Sequence, residues 1–155
     1  AAFVRVNVHA GAYVTDQGLI EGRAYHSLAY RKRLGSSVAL WADVCVKHAA
    51  PLAPLSLQQA LDDLLQRSGA DRAIVTGRGT GQAVDAVALE VLAKRDDIST
   101  IYIGSGVSPK TVKRLPVNLD GAIVGTWLKE DGNISQPICH KRVRELGDRL
   151  RAHLN

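Results

Sequence analysis

Two short stretches place residues capable of proton transfer, carbonyl chemistry and anion binding at alternate positions. In FVRVNVHAG, residues 3–11, Arg5, Asn7 and His9 alternate with Val4, Val6 and Val8; in WADVCVKH, residues 41–48, Asp43, Cys45 and Lys47 alternate with Ala42, Val44 and Val46. A period of two marks a strand with one apolar face, so each polar set falls on a common side. His9 exchanges a proton near neutral pH, and Asp43 accepts one or orients a neighbour. Lys47 holds an oxyanion or, once desolvated, forms a Schiff base, while Asn7 orients substrate. These four are the candidate catalytic residues. Arg5 and Asp16 are candidate substrate contacts, although Asp16, which follows in a loop with Thr15 and Glu21, serves equally well as a turn or helix cap. The competing reading of Arg5, Asp43 and Lys47 is a structural ion network. His48 shares the parity of Val44 and Val46 and reads as a packing or loop histidine.

A second group of signals is made of glycine. In TIYIGSGVSPKTV, residues 100–112, an apolar strand runs into Gly104, Ser105 and Gly106; in GAIVGTWLK, residues 121–129, another runs into Gly125 and Thr126. Glycine at such places lets backbone amides approach an anion closely. The pair therefore reads as a phosphate site, with Gly104, Ser105, Gly106, Gly125 and Thr126 as its residues. A third cluster, TGRGTGQ at 76–82, lacks the spacing and the downstream acidic residue of a dinucleotide fingerprint. It reads as an active-site loop or a plain turn, with Thr76 and Gly77 as candidate substrate contacts.

The elements that must position these groups follow from periodicity. Five Val- and Ile-rich segments, 3–9, 38–47, 72–76, 100–104 and 121–125, read as strands. Between them, 56–68 has one apolar helical face, a capping box of Ser56 with Gln59, and Gly69 as its stop. Residues 84–92 and 140–154 repeat the helical spacing, and weaker helices are expected over 19–34 and over 109–115, the latter opened by Ser108 and Pro109. Strands alternating with helices, joined by loops too short for hairpin returns, indicate parallel βα units. Charged inner faces on two consecutive strands favour a barrel over a doubly wound sheet, because a barrel gives such groups a cavity at its strand ends.

Composition narrows the rest. The chain has 155 residues, 46% of them hydrophobic and 23% charged, which suits a single globular domain segment. Its formal charge of +5 is spread thinly and only 5% of residues are aromatic, so a nucleic-acid partner is not expected. No stretch resembles a membrane span or a secretory signal. The two cysteines, Cys45 and Cys139, have no metal-ligand or disulfide spacing, so reduced thiols and a cytoplasmic location are expected. Methionine is absent altogether and residue 3 already belongs to a strand, from which a piece of a longer translated chain is expected.

The motifs RVNVHAGAYVTDQGLIEGRA, ADVCVKHAAPLAP, IVTGRGTG, GSGVSP and DGAIVGTWLKEDG together resemble the BtpA/SgcQ family over nearly the whole length. The resemblance implies an α/β fold of the (β/α)8 TIM-barrel class, of the ribulose-phosphate-binding type. Residues 1–155 would supply the C-terminal five βα units of one domain, with the N-terminal three absent. It also implies two functional readings. In one, the protein binds a phosphorylated sugar or nucleoside-like molecule, with phosphosugar isomerase, lyase or nucleosidase-like chemistry as the candidate and the reaction unassigned. In the other it is a non-catalytic, membrane-peripheral assembly or stability factor for photosystem I reaction-centre proteins. No cofactor is required by the sequence; a divalent metal held by His9 with Asp43 or Asp16 is compatible with it, as is a homo-oligomer. Two departures from the family pattern stand out, Cys45 where histidine is common and Pro137-Ile138-Cys139-His140 before the last helix.

Overall fold

The computed structural model describes residues 1–46, 49–77 and 82–154, which fall into two compact units, Ala1–Ile74 and Val75–Asn155. In the first, strand β1 (Phe3–Val6) is followed by β2 (Ala12–Thr15), β3 (Gly18–Glu21), helix α1 (Ala24–Arg33), β4 (Ala39–Val44), β5 (Ala49–Pro51) and α2 (Leu57–Asp62), which continues as a π-helical turn over Asp63–Arg67. Strand β6 (Arg72–Val75) closes this unit and opens the next. There α3 (Ala86–Ala93), β7 (Ile101–Ile103), β8 (Gly121–Ala122) and α4 (His140–Leu154) are joined by 3-10 turns.

The principal sheet takes its strands in the order β1-β4-β6-β7-β8. β1 runs parallel to β4, with Arg5 opposite Trp41, and β7 runs parallel to β8, with Tyr102 opposite Gly121. The fold is thus mixed α/β around a parallel five-stranded sheet, and all five expected strands are present in shortened form. The sheet is open, with β1 and β8 as its end strands, so the closed barrel implied by the resemblance is not formed by these residues.

Within the first unit the sequence pattern explains the layers. Alternate residues of β4, Leu40, Ala42 and Val44, are buried, and α2 turns Ala60, Leu61 and Leu64 into the same core. Ser56 caps α2 through the amide of Gln59, whose side chain reaches back to complete the capping box, and Gly69 at φ +67° ends the element. The helix expected over 56–68 is therefore observed, with a π geometry in its last turn.

Two expectations for this unit fail. The helix expected over 19–34 is present only as α1, Ala24–Arg33, because its first residues belong to a strand: β2 and β3 form an antiparallel hairpin, with Tyr13 opposite Ile20 and Val14 opposite Leu19. Thr15 Oγ1 donates to the Gly18 carbonyl and accepts the Gln17 amide, while Gly18 adopts φ +103°, a tight return that overrides the helical pattern. β5 then adds to the other side of β2, so a three-stranded antiparallel sheet stands where loops and the start of a helix were expected.

In the second unit α3 and α4 lie where expected, α3 being capped by Asp85 through the Ala88 amide at 2.7 Å. The helix expected over 109–115 is reduced to a 3-10 turn over Val112–Arg114. Thr111 Oγ1 accepts the Ser108 amide and donates to the Gly106 carbonyl, holding the chain in a tight turn, and Pro116 blocks its extension. α4 is held on this unit by His153 Nε2, which donates to the Leu115 carbonyl, and by Arg142, which donates to the carbonyls of Trp127 and Lys129. Among the described residues no helix is long and apolar enough to cross a membrane.

Candidate functional site

The parity argument holds as far as the strands do. Arg5 and Asp43 share a face of the β1–β4 pair opposite the buried Ala42 and Val44, and they meet there as a fork: Arg5 Nε donates to Oδ1 at 3.0 Å, and Nη2 to Oδ1 and Oδ2 at 2.8 and 3.0 Å. The Arg5 side chain remains 41% exposed and that of Asp43 only 9%, so the carboxylate is the enclosed partner. Phe3 stacks on Trp41 one layer away on the same face, with centroids 3.8 Å apart. A bidentate guanidinium–carboxylate pair fixes geometry strongly and occupies both oxygens. It suits Asp43 to anchoring Arg5 more than to taking a proton from substrate.

Beyond Val6 and Val44 the alternation stops, and the remaining candidates follow other rules. Asn7 lies in a bend and is exposed. His9 is buried to 1% exposure, and its Nε2 donates to the Ser68 carbonyl at 3.0 Å, which leaves Nδ1 as the acceptor nitrogen with no partner among the described residues. His9 thus ties the end of β1 to the close of the π-helical turn. Cys45 takes φ +54°, which breaks the strand and removes it from the face of Asp43. Although the residue is exposed overall, burial pushes its thiol up, so the thiolate needed for nucleophilic attack is scarce at neutral pH. Tyr13 is buried beside it, and burial first, then the nearby Cys45 thiolate, raise its phenol. Asp16 occupies the exposed hairpin turn. Lys47 and His48 lie outside the described residues.

Of these residues Asp43 and Tyr13 line a cleft of about 310 Å³ within the first unit, whereas Arg5, Asn7, His9, Asp16 and Cys45 are not among its described lining residues. Residues 10–13 and 51–55 form its upper walls, Asp43 and Val44 one side, and Ala60, Asp63 and Leu64 its base. The two walls are joined by the Leu52 amide, which donates to the Ala12 carbonyl at 2.9 Å. Tyr13 and Asp63 were not singled out from sequence. Asp63 had a legible signal, its place at the cleft-facing end of the 56–68 periodicity, whereas Tyr13 depends on a hairpin that periodicity did not reveal.

The glycine loops belong to the second unit, and they differ from each other. Gly106 takes φ +64°, and a Cβ there would lie 2.2 Å from the Ala83 amide nitrogen. Gly77 is in a similar position: its Cβ would meet the Gln82 carbonyl oxygen at 2.2 Å. Both glycines admit residues 82–83 of the chain itself. Ser105 is buried and its hydroxyl donates to the Gly104 carbonyl, while the Gly104 amide donates to Val75. Gly125, by contrast, is exposed, with nothing within 4 Å of a Cβ built on it, and it opens the 3-10 turn Thr126–Leu128. The first amides of such a turn have no partner inside it. Thr76 is half-buried at the end of β6, and residues 78–81 of the third glycine cluster lie outside the described residues.

For a metal, the donor set offers little. Among the described residues no three His, Cys, Asp or Glu side chains come together as a ligand group, His9 is engaged with Ser68, and Asp43 is engaged with Arg5.

The chain is 41% identical over 145 residues to an uncharacterised protein of Pyrococcus furiosus, covering 94% of this chain and 54% of that protein. It is 42% identical to the photosystem I biogenesis protein BtpA of Synechocystis over 143 residues, 92% of this chain and 50% of that protein. A relative in Caenorhabditis elegans, an uncharacterised mitochondrial protein, is 31% identical over 84% of this chain and 47% of its own length. The chain thus spans about half the length of the curated relatives it matches. No solved structure matches it significantly. The BtpA family model matches residues 1–151, and the chain belongs to the BtpA family.

Proposed function

We propose that this BtpA-family chain forms part of a small-molecule-binding α/β protein whose ligand carries a phosphate, held at the turn that follows β8. The observation that carries this reading is the open backbone at Gly125: exposed, with no atom beyond its chain neighbours within 4 Å of a Cβ position, and placed directly before the first amides of a 3-10 turn, which have no partner inside it. The loop at residues 104–106, the other phosphate candidate, is closed over by residues 82–83, so the anion's amide contacts fall to Gly125 and Thr126. The Arg5–Asp43 fork, an exposed guanidinium held by an enclosed carboxylate on a strand face, is the element of the first unit best suited to orienting a polar substrate group.

The test is thermal unfolding in the presence of inorganic phosphate and of simple sugar phosphates. A ligand that binds only the folded chain at a hundredfold excess over its Kd stabilises by about 2.7 kcal/mol. Gly125→Asp adds a carboxylate in open space at an ordinary φ, so folding survives while anion binding is lost. Stabilisation by phosphate that persists in Gly125→Asp would remove the assignment.

A second reading is a role in the biogenesis of photosystem I, favoured by the name of the Synechocystis relative at 42% identity. Co-sedimentation with anionic membranes that follows surface charge and ignores Gly125→Asp would favour the assembly role instead.

A further inference from the structure

The cleft of the first unit has a charge balance opposite to that of a phosphate site. Its walls are apolar almost throughout: residues 10–12, Val44, residues 51–55, Ala60 and Leu64 contribute aliphatic surface, with Val44, Ala60 and Leu64 buried at the base and Leu52 and Leu55 exposed at the rim. At about 310 Å³ it lies at the small end of the range for ligand pockets. Among the described lining residues three carry titratable groups, Asp43, Asp63 and Tyr13, and none is Lys, Arg or His. Burial raises the Tyr13 phenol, which therefore stays neutral. The backbone carbonyls of Gly11 and Ala12 are already taken by the amides of Gly22 and Leu52. The charged groups left to meet a ligand's polar end are the carboxylates of Asp43 and Asp63.

The two carboxylates are not equally committed. Asp43 receives the Arg5 fork. Among the described residues Asp63 is paired with Arg67, a partner one helical turn away whose side chain is 81% exposed, and such surface pairs hold weakly against a competing cation. Asp63 is also the first residue of the π-helical turn Asp63–Arg67, an irregularity that interrupts α2 where it borders the cleft. π turns inside helices are costly relative to the α form and recur at functional sites. An anion entering here would meet the like charge of Asp43 and Asp63. A neutral apolar molecule would strip water from Asp63 without replacing it.

We propose that this cleft binds a small amphipathic amine, an aliphatic body lying against Val44, Ala60 and Leu64 with its ammonium donated to the carboxylate of Asp63. This site is separate from the phosphate turn at Gly125 and does not depend on it. The probe is n-hexylammonium, with n-hexanoate and n-hexanol as controls of equal chain length, titrated against the isotopically labelled chain and followed by amide chemical shifts. Hexylammonium should saturate and move the amides of Ala12, Leu52, Ala53 and Leu64, and hexanoate should bind at least about tenfold more weakly. Asp63→Asn keeps the side-chain shape. It should weaken hexylammonium about five- to tenfold and leave hexanol unchanged, with an unaltered far-ultraviolet spectrum confirming the fold. Equal binding of hexanoate, shifts confined to other residues, no saturable shift, or an Asp63→Asn variant that binds hexylammonium as before would each overturn the proposal. Phosphate titration of the same Asp63→Asn variant reads the Gly125 turn separately, so failure of one assignment leaves the other standing or falling by its own measurement.

Discussion

The two units of this chain spend backbone in different ways. In Ala1–Ile74 the strands run four to six residues in the pairs that carry the candidate chemistry, and their registers hold side chains on a definite face: Arg5 meets Asp43 because β1 and β4 pair over four residues. In Val75–Asn155 the strands after β6 are three and two residues long, and 3-10 turns at 98–100, 112–114, 126–128 and 130–132 take their place. Side-chain parity sets the geometry of the candidate groups in the first; glycine backbone, packed close at Gly106 and open at Gly125, sets it in the second. The contrast teaches that alternation is evidence about a site only as far as a strand persists, and that past its end a glycine or a left-handed residue sets the geometry.

Glycine substitution should sharpen that contrast most. Gly106→Ala places a Cβ 2.2 Å from a backbone nitrogen at φ +64°, and the sum of left-handed strain and overpacking should cost the second unit about 3–5 kcal/mol. In the first unit, Gly22→Ala meets the His9 carbonyl oxygen at 2.6 Å but without a left-handed φ, and should cost about 1–3 kcal/mol. Urea denaturation of both variants decides the matter: a Gly106→Ala loss no larger than that of Gly22→Ala would break the comparison.

Next in size are the helix caps, where the units are expected to behave alike. Ser56→Ala removes one half of the box on α2 and Asp85→Ala removes the cap of α3, each worth about 1 kcal/mol. Denaturant midpoints for the two should shift equally, and a negligible shift in either would mean that tertiary packing alone holds that helix start.

The smallest effects concern pH. Burial alone would raise Asp71, yet the Leu40 amide and the Arg31 guanidinium bonded to it, with Arg72 nearby, bring it below the ordinary carboxylate range. Asp97 is lowered first by its hydrogen bonds from Arg95, against the opposing effect of burial. For groups depressed on folding, the contribution is present above the unfolded pKa and is lost as pH falls through the folded value. Each unit should therefore lose stability on acidification below the ordinary carboxylate range. Asp71→Asn and Asp97→Asn should flatten that slope, by less than about 1 kcal/mol for the partly exposed Asp71. An acid limb unchanged in both variants would show that other carboxylates control it.

Much of this architecture is legible in the residues. The five apolar runs became the five strands of the parallel sheet, and the Ser56–Gln59 box, Gly69 and the 140–154 stripe marked helix limits that the structure reproduces. These features are local: a cap, a stop or a periodic face is written in residues a few positions apart, and the chain needs no distant partner to express it. The β2–β3 hairpin escaped notice because its signal lay in one hydroxyl, Thr15, and one glycine, Gly18, inside a segment whose apolar spacing also fits a helix.

By itself the sequence determined which segments are apolar, where the helices of 56–68 and 140–154 begin and end, and that Arg5 and Asp43 fall on matching sides of their strands. Only the tertiary structure decided that those two side chains close on each other, that His9 turns to a backbone carbonyl at Ser68, and that Gly106 admits residues 82–83 while Gly125 stays open. The physical reason is range. Periodicity and capping are fixed by neighbours along the chain, whereas the ends of strands, where these candidate groups lie, take their conformation from whatever distant segment packs against them.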